Sequence, residues 1–399
     1  MTAHCRGEHA WDGISTVDLE RPSSRKWSLH PGTIGAWVAE MDFGTAPPVR
    51  EALRRAIDDD VLGYLSPATA AALGEATADW QAEQFGWHVD PERVHAVSDV
   101  MAALGVAVEE YSPAGSAVIV PTPAYMPFLT YLQTLGREAV EVPGVVVDGR
   151  WQHDLDGIDR AFAAGARTLV LCNPHNPTGT VLPRAELEQI AELVDRHGAR
   201  VFADEIHASI RFDGREHVPY ASVSPAAADH AITGTSASKA WNIPGLKAAQ
   251  LITSNAADQA VYERFGFAVV HGASTLGVIA STAAYREGGP WLREVCAYLE
   301  RNRDLLGALL AERLPGVRWH PPEATYLAWL DLHELALGTD APATLLRERA
   351  GVTLTDGARC GVGFEQHVRL VFATPAPVLE EAVDRIASAL SPIAAGAGR

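Results

Sequence analysis

Ala231-Ile-Thr-Gly-Thr-Ser-Ala-Ser-Lys-Ala-Trp-Asn-Ile-Pro-Gly-Leu-Lys-Ala-Ala-Gln-Leu-Ile252 is the stretch that decides the fold. Two short, nearly apolar runs, 231–234 and 249–252, flank a polar loop. The same texture recurs upstream. Ala117-Val-Ile-Val120 ends in Pro-Thr-Pro, Thr168-Leu-Val-Leu-Cys172 in Asn-Pro-His-Asn-Pro, and Arg200-Val-Phe-Ala203 in Asp-Glu. Helical patterns, such as Pro183 to His197, lie between several of these runs. Short apolar strands separated by helices predict an α/β fold with a mostly parallel sheet covered on both faces. Polar residues gather just past the C-terminal end of each run, where open α/β sheets bind ligands.

Outward from that centre the texture changes. The first 45 or so residues read as polar and irregular, ending in Gly35-Ala-Trp-Val-Ala-Glu-Met-Asp-Phe43. Helices are predicted over Val49 to Asp59, with Pro48 near the first turn, and over Ala68 to Phe85. The C-terminal third alternates long helices (Pro290 to Arg313, Ala341 to Ala350, Pro377 to Leu390) with strand-like runs (Tyr326 to Leu330, His367 to Ala373). That mixture suggests a smaller α+β unit, and the tail from Ala394 to Arg399 is expected to fray. The expected division is 1–45 as a segment joining the small unit, 46–285 as the large domain and 286–399 as the small one.

With 399 residues the chain can bury a large core without disulfides. Fifty acidic residues against 32 basic ones give a formal charge of −18, which argues against a non-specific nucleic-acid or anionic-membrane binder. The four cysteines are scattered and form no CxxC pair, so neither a zinc site nor a dithiol motif is expected. The N-terminus lacks a signal-like apolar run, and no stretch approaches the ~18 apolar residues that span a bilayer. A cytoplasmic protein with free thiols is the expectation.

Of the 32 basic residues only three are lysines: Lys26, Lys239 and Lys247. An amine nucleophile therefore has three candidates. Lys26, in Arg25-Lys-Trp, reads as a solvated surface charge. Lys239 and Lys247 share the loop quoted above, with Ser236 and Ser238 beside the first. Two hydroxyls and Lys247 suit a dianionic phosphate while Lys239 reaches an aldehyde; the competing reading is a solvated loop. Asp204, after a buried-type strand, could keep a ring nitrogen protonated, although on its own a helix N-cap is the simpler reading. Glu205 reads as a structural or solvent-facing neighbour. His207 is either part of the site or a satisfied polar residue beside it. Asn176 lies in a turn stiffened by two prolines, and Tyr125 could stack on a planar ligand or pack in the core. Arg369, in the apolar run Val368-Arg-Leu-Val-Phe, needs a partner. An internal salt bridge is slightly favoured over a substrate carboxylate.

Taken in order, Tyr125, Asn-Pro-His-Asn-Pro-Thr-Gly179, Asp-Glu-Ile-His207, Ser-Ala-Ser-Lys239 and the late Arg369 resemble the pyridoxal-phosphate (PLP)-dependent class I/II aminotransferases of fold type I over nearly the whole chain. Trp37-Val-Ala-Glu-Met-Asp-Phe43, Trp-Asn-Ile-Pro-Gly-Leu-Lys247 and Glu323-Ala-Thr-Tyr326 point to the cystathionine β-lyase-like C–S lyase branch. The resemblance implies an aspartate aminotransferase-like fold with a mostly parallel seven-stranded sheet between helices. It also implies PLP as cofactor and a homodimer.

The resemblance further implies roles. Lys239 carries the cofactor and takes the Cα proton. Asp204 pairs with the pyridine nitrogen, Asn176 with the ring O3′, and His207 lies close by. Tyr125 stacks on the ring. Ser236, Ser238, Lys247 and the backbone at Val100 and Met101 hold the phosphate, with Tyr64 reaching the neighbouring subunit's phosphate. Arg369 grips the substrate carboxylate near Val38 and Ala39, and Tyr326 lines the substrate entrance. No metal is implied.

Three places depart from the branch pattern: Leu-Val-Phe after Arg369, Glu40 for Asp, and Ser98-Asp-Val-Met101 for the usual phosphate turn. The implied reaction is β-elimination from an S-substituted cysteine, cystathionine or a cysteine conjugate, giving thiol, pyruvate and ammonia. Transamination is the alternative. A non-catalytic regulator is disfavoured by the intact lysine and by the absence of an evident helix-turn-helix pattern.

Overall fold

The computed structural model describes residues 9–21, 24–270, 272–338 and 341–396, with backbone alone for 265–270 and 391–396. Cys5 and residues 397–399 of the tail lie outside the described residues.

Seven strands form the central sheet: β1 (Val94–Val97), β2 (Val118–Thr122), β3 (Ala139–Pro143), β4 (Thr168–Cys172), β5 (Arg200–Asp204), β6 (Ala231–Thr235) and β7 (Ala249–Thr253). Their spatial order is β1-β7-β6-β5-β4-β2-β3. β7 runs antiparallel to both its neighbours, and the pairs among β2 to β6 are parallel. All residues of β2, β4, β6 and β7 are buried. Continuous apolar strands are what a sheet covered on both faces requires. β1 and β3 were not read from sequence. β1 has four residues interrupted by His95, and β3 is a partly exposed edge carrying Glu141.

A second sheet of four short strands, β8 (Arg318–Trp319), β9 (Leu327–Asp331), β10 (Thr355–Asp356) and β11 (His367–Val371), has the order β8-β9-β11-β10 and is antiparallel. Among the helices that bear on the site are α1 (Pro47–Asp58), α2 (Pro67–Phe85), α3 (Val100–Glu110), α4 (Arg184–Arg196), α5 (Thr275–Glu287), α6 (Gly289–Arg313) and α7 (Ala376–Gly396). α2 starts at a Ser66 cap with Pro67 in its first turn and ends at Gly86, whose φ of +66° suits a residue without a Cβ. α5 packs on α1 and α2, and α6 on α7. α7 runs past the expected Leu390 to Gly396; Ala394 and Ala395, strong helix formers, lie in that extra turn. The first segment is less irregular than expected. It holds short helices at Thr16–Glu20 and Arg25–Ser28 and a two-residue strand, Ile34–Gly35, paired with Val352–Thr353. Among the described residues no helix is long and apolar enough to cross a membrane.

Candidate active site

The C-terminal ends of β4, β5 and β6 lie side by side, and the backbone ladder continues past them. The N–H of Asn173 donates to Asp204 O at 2.9 Å, and that of Glu205 to Gly234 O at 2.8 Å. Adjacent register brings Asn176, Asp204 and Lys239 to one crevice mouth although 63 residues separate the first from the last. α3 starts after β1, so its N-terminus faces the same end of the sheet.

Asp204 is buried. Its Oδ1 accepts from Ile206 N at 3.1 Å, a turn two residues long, and no helix follows it. The N-cap reading is thereby overturned. Burial pushes the carboxyl up to about 7, against the pull of that N–H and of the Lys239 charge. Lys239 Nζ donates to Ala39 O at 3.2 Å. Its surroundings push it down to about 8, mainly by desolvation and then by the Arg369 charge, although the residue keeps some opening to the crevice. A buried acid and a buried amine are thus each held near neutrality by the same low-polarity site.

Arg369, on β11, is 3% exposed. Its Nη1 donates to Asn176 Oδ1 at 2.9 Å, and its Nη2 to Trp37 O at 2.9 Å and Thr355 Oγ1 at 3.1 Å. All three acceptors are neutral. No carboxylate pairs with it among the described residues, and its Nε is buried without a partner. The internal salt bridge is therefore not formed, which leaves a buried guanidinium short of an anion. Accepting from Arg369 also orients the Asn176 amide, so that its NH2 remains to donate elsewhere.

His207 is buried with Nδ1 unpaired, its ring edge-on to Tyr326 at 6.2 Å. It is not the satisfied polar residue of the simpler reading. Burial, with Lys239 and Arg369 nearby, pushes it down to about 3, so it is a neutral imidazole at working pH. Tyr125 meets Phe128 edge-on at 5.4 Å. Burial raises its phenol against the influence of Arg369. Tyr326, expected at an entrance, is instead fully buried, and its hydroxyl donates to Ala39 O at 3.0 Å. It shares the Ala39 carbonyl with Lys239. Glu40 N reaches back to Val38 O at 2.8 Å, and this tight turn aims the Ala39 carbonyl at both Lys239 and Tyr326.

At the other end, Asp99 caps α3 by accepting from Ala102 N at 2.9 Å, and its backbone carbonyl accepts from Ala103 N. The N–H groups of Val100 and Met101 stand outside those bonds, at the positive end of an 11-residue helix. Lys247, left-handed at φ +53°, pairs with Asp99 Oδ2 at 2.8 Å. Ser236 Oγ donates to Ala248 O at 2.8 Å and accepts from Ser238 N at 3.0 Å. Its proton is committed to the backbone, whereas the Ser238 hydroxyl bonds to nothing among the described residues. Tyr64 is 90% exposed, and the carbonyl of its neighbour Gly63 accepts from Thr275 Oγ1 at 2.8 Å.

For Glu205 the first of its two sequence readings holds, and for Lys26 the reading is overturned. Glu205 is structural: it is buried and accepts from Tyr220 N at 2.7 Å, with His217 Nε2 at 3.1 Å. Lys26 is not a surface charge. Its side chain is inaccessible and pairs with Asp42 at 2.7 Å. Sequence reasoning also passed over Trp37, Thr355 and Asp99. Trp37 and Thr355 act on Arg369 through a main-chain carbonyl and a short hydroxyl, neither of which marks itself in a sequence. A separate cleft of about 1260 Å³ is lined by residues such as Trp80, Arg150, Arg211, Arg215, His217 and Cys296, and Lys239, Asp204, Asn176 and Arg369 are not among its lining. Cys172, Cys296 and Cys360 are free thiols. The metal expectation rested on cysteines, yet Asp331 and His367 on the small sheet and His333 in the turn after β9 bring ligand atoms within 4.8 Å of one another, Asp331 also pairing with Arg318.

A lysine and a buried carboxylate at adjacent strand ends, facing a helix N-terminus and an unpaired arginine, agree with a family match. Residues 38–386 match aminotransferase class I and II. The chain belongs to that family. It is 40% identical over 374 residues to a cystathionine beta-lyase of Corynebacterium glutamicum, covering 94% of this chain and 98% of that one. A solved structure from Corynebacterium diphtheriae, assigned as a PLP-dependent beta-cystathionase, superposes with a TM-score of 0.90 at 40% identity, over 95% of this chain and 98% of that one. A PLP-bound C-S lyase from Staphylococcus hominis gives 0.86 at 27% identity, over 96% and 98%. Within this aminotransferase family, the seven-stranded sheet and the order of motifs agree with what the sequence implied.

Proposed function

We propose that this chain is a PLP-dependent carbon–sulfur lyase that eliminates a thiol from an S-substituted cysteine. The observation that carries the chemistry is that Lys239, held near neutrality, shares its site with a buried arginine that has no carboxylate partner among the described residues. The substrate class draws on the full-length likeness to a cystathionine beta-lyase.

The residues present fit PLP. The buried Asp204 carboxyl, with one N–H donor, suits a protonated pyridine nitrogen, and the cation would restore its charge. The free NH2 of Asn176 suits a ring oxygen. The α3 N-terminus with Val100, Met101, Lys247 and Ser238 suits a phosphate, and Lys239 is the amine within the crevice. Ser236 acts there as a cap on Ser238 more than as a direct donor.

When bound, PLP supplies an aldehyde for the substrate amine and a ring that accepts electron density from Cα. Arg369 holds the substrate carboxylate bidentately and so orients the Cα–H bond. Lys239, lowered to about 8, gives up its proton far more readily than an ordinary lysine near neutral pH, and as the free amine it takes that proton. Ala39 O orients Nζ, and the Tyr326 hydroxyl donates to the same carbonyl. Thiolate leaves from Cβ, and hydrolysis of the remainder gives pyruvate and ammonia.

Incubation with cystathionine and no 2-oxo acid tests this. One pyruvate per thiol released is expected, whereas no turnover until a 2-oxo acid is added would make the enzyme an aminotransferase.

The same reading includes a homodimer. Tyr64 is 90% exposed within a stretch that also exposes Ile57, Val61 and Leu62, a pattern suited to a second copy. Tyr64 would then reach the neighbouring cofactor phosphate. Residues 46–285 would form the large domain, and 286–399 with the first segment the small one.

A further inference from the structure

The geometry points to Lys26 and Asp42 as a positioning pair that sets the main-chain turn on which Lys239 and Arg369 depend. This rests on Lys239 being the reacting amine.

The loop from Trp37 to Phe43 offers its carbonyls to the site: Trp37 O to Arg369, and Ala39 O to both Lys239 and Tyr326. Its rear is stitched to the segment Arg25–Ser28. Lys26 Nζ donates to Asp42 Oδ2 at 2.7 Å, to Glu40 O at 3.2 Å and to Ala373 O at 3.4 Å. Trp27 Nε1 donates to Asp42 Oδ1 at 2.9 Å, and Trp37 Nε1 to Lys26 O at 3.1 Å. Asp42 N also donates to Ala373 O at 3.1 Å. Side-chain exposure is 0% for Lys26 and 5% for Asp42.

Every donor of the ammonium is thus spent on this loop and on the chain just beyond β11, and both Asp42 carboxylate oxygens accept from the Arg25–Ser28 segment. The approach is close on the backbone side as well. A Cβ on Gly35 would collide with the Lys26 carbonyl, so the two segments are in backbone contact there.

A buried ion pair is weak support for stability, because hydrophobic residues of similar volume often serve as well. A pair whose donors converge on one turn does something such residues cannot: it fixes where the next carbonyls point. Glu40 O is held from behind by Lys26, while Ala39 O, one residue earlier, faces forward to Nζ. Release of the rear contacts would let Ala39 O drift, and misplacement on the scale of an ångström reduces turnover strongly.

The test uses holoenzyme of Lys26→Met/Asp42→Asn, which removes both charges and leaves no lone buried ion. Urea midpoint and cofactor content should stay close to wild type. The pH midpoint of the visible cofactor band should move by roughly half a unit or more, and kcat for cystathionine should fall roughly tenfold or more with a smaller change in KM. A band midpoint and kcat both equal to wild type overturn the proposal. Should the double variant not fold, Asp42→Asn alone, which keeps the Lys26 carbonyl contacts, is read by the same band; an unmoved midpoint there overturns it equally. Wild-type enzyme that shows the band without eliminating thiol would refute the lyase reading and leave the Lys26 result standing.

Discussion

Replacing Asp204 by Asn should stabilise the cofactor-free protein while removing its activity. The carboxyl ionises at about 7 in the folded chain against 3.8 ordinarily, because it is buried. Its folded value is raised, so between those two pH values the folded protein holds a proton that the unfolded chain has released. Its contribution is therefore fully present below 3.8 and is lost as pH rises through about 7. At about 1.4 kcal/mol per pH unit, the ionised carboxylate costs on the order of 4 kcal/mol at pH 8 and under about 2 kcal/mol at pH 5. Asn has nearly the same shape, keeps an oxygen for Ile206 N and cannot ionise. Urea unfolding of apoprotein, followed by tryptophan fluorescence from pH 5 to 8, should show the variant's advantage growing by roughly 2 to 3 kcal/mol across that range. The attraction between Asp204 and Lys239 opposes the gain, so the series is repeated in a Lys239→Ala background, where the advantage should be larger. A difference that stays flat with pH, or a wild type more stable at pH 8, would refute the burial argument. In holoenzyme the same change should abolish turnover, because the ring nitrogen loses its anion.

Arg369→Ala should raise KM for amino-acid substrates roughly tenfold or more with a smaller effect on the visible band, since it removes a two-pronged contact to a carboxylate; an unchanged KM would make Arg369 a support for Asn176 and Trp37 alone. Asp99→Asn should tighten PLP binding by roughly twofold to fivefold in an absorbance titration. Asn still caps α3, while Lys247 is freed from a half-exposed ion pair of the ~0.2–1 kcal/mol class. Weaker binding would show that the Asp99 charge aids the site.

Much of the fold could be read along the chain. The apolar runs at 118, 168, 200, 231 and 249 are each buried on both faces, so burial is written into their composition. The polar clusters that end them meet at one crevice because a parallel sheet aligns its C-terminal ends. Lys239, Asp204 and Asn176 were identifiable for that reason.

What failed were partnerships across large separations. Lys26 sits among polar neighbours, Arg25 and Ser24, and nothing local signals burial. Its partners are 14, 16 and 347 residues away. The Lys247–Asp99 pair spans 148 positions, and the three acceptors of Arg369 come from three separate segments.

By itself the sequence determined which residues are chemically able to act and at which strand ends they stand, because periodicity and burial are local properties. Only the tertiary structure decided which charges are matched. It buried Lys26 against Asp42, left Arg369 with neutral acceptors, and desolvated Asp204 and Lys239 enough to hold each near neutrality against their mutual attraction. Desolvation and pairing depend on everything that surrounds a group in space, and residues hundreds of positions away supply those surroundings.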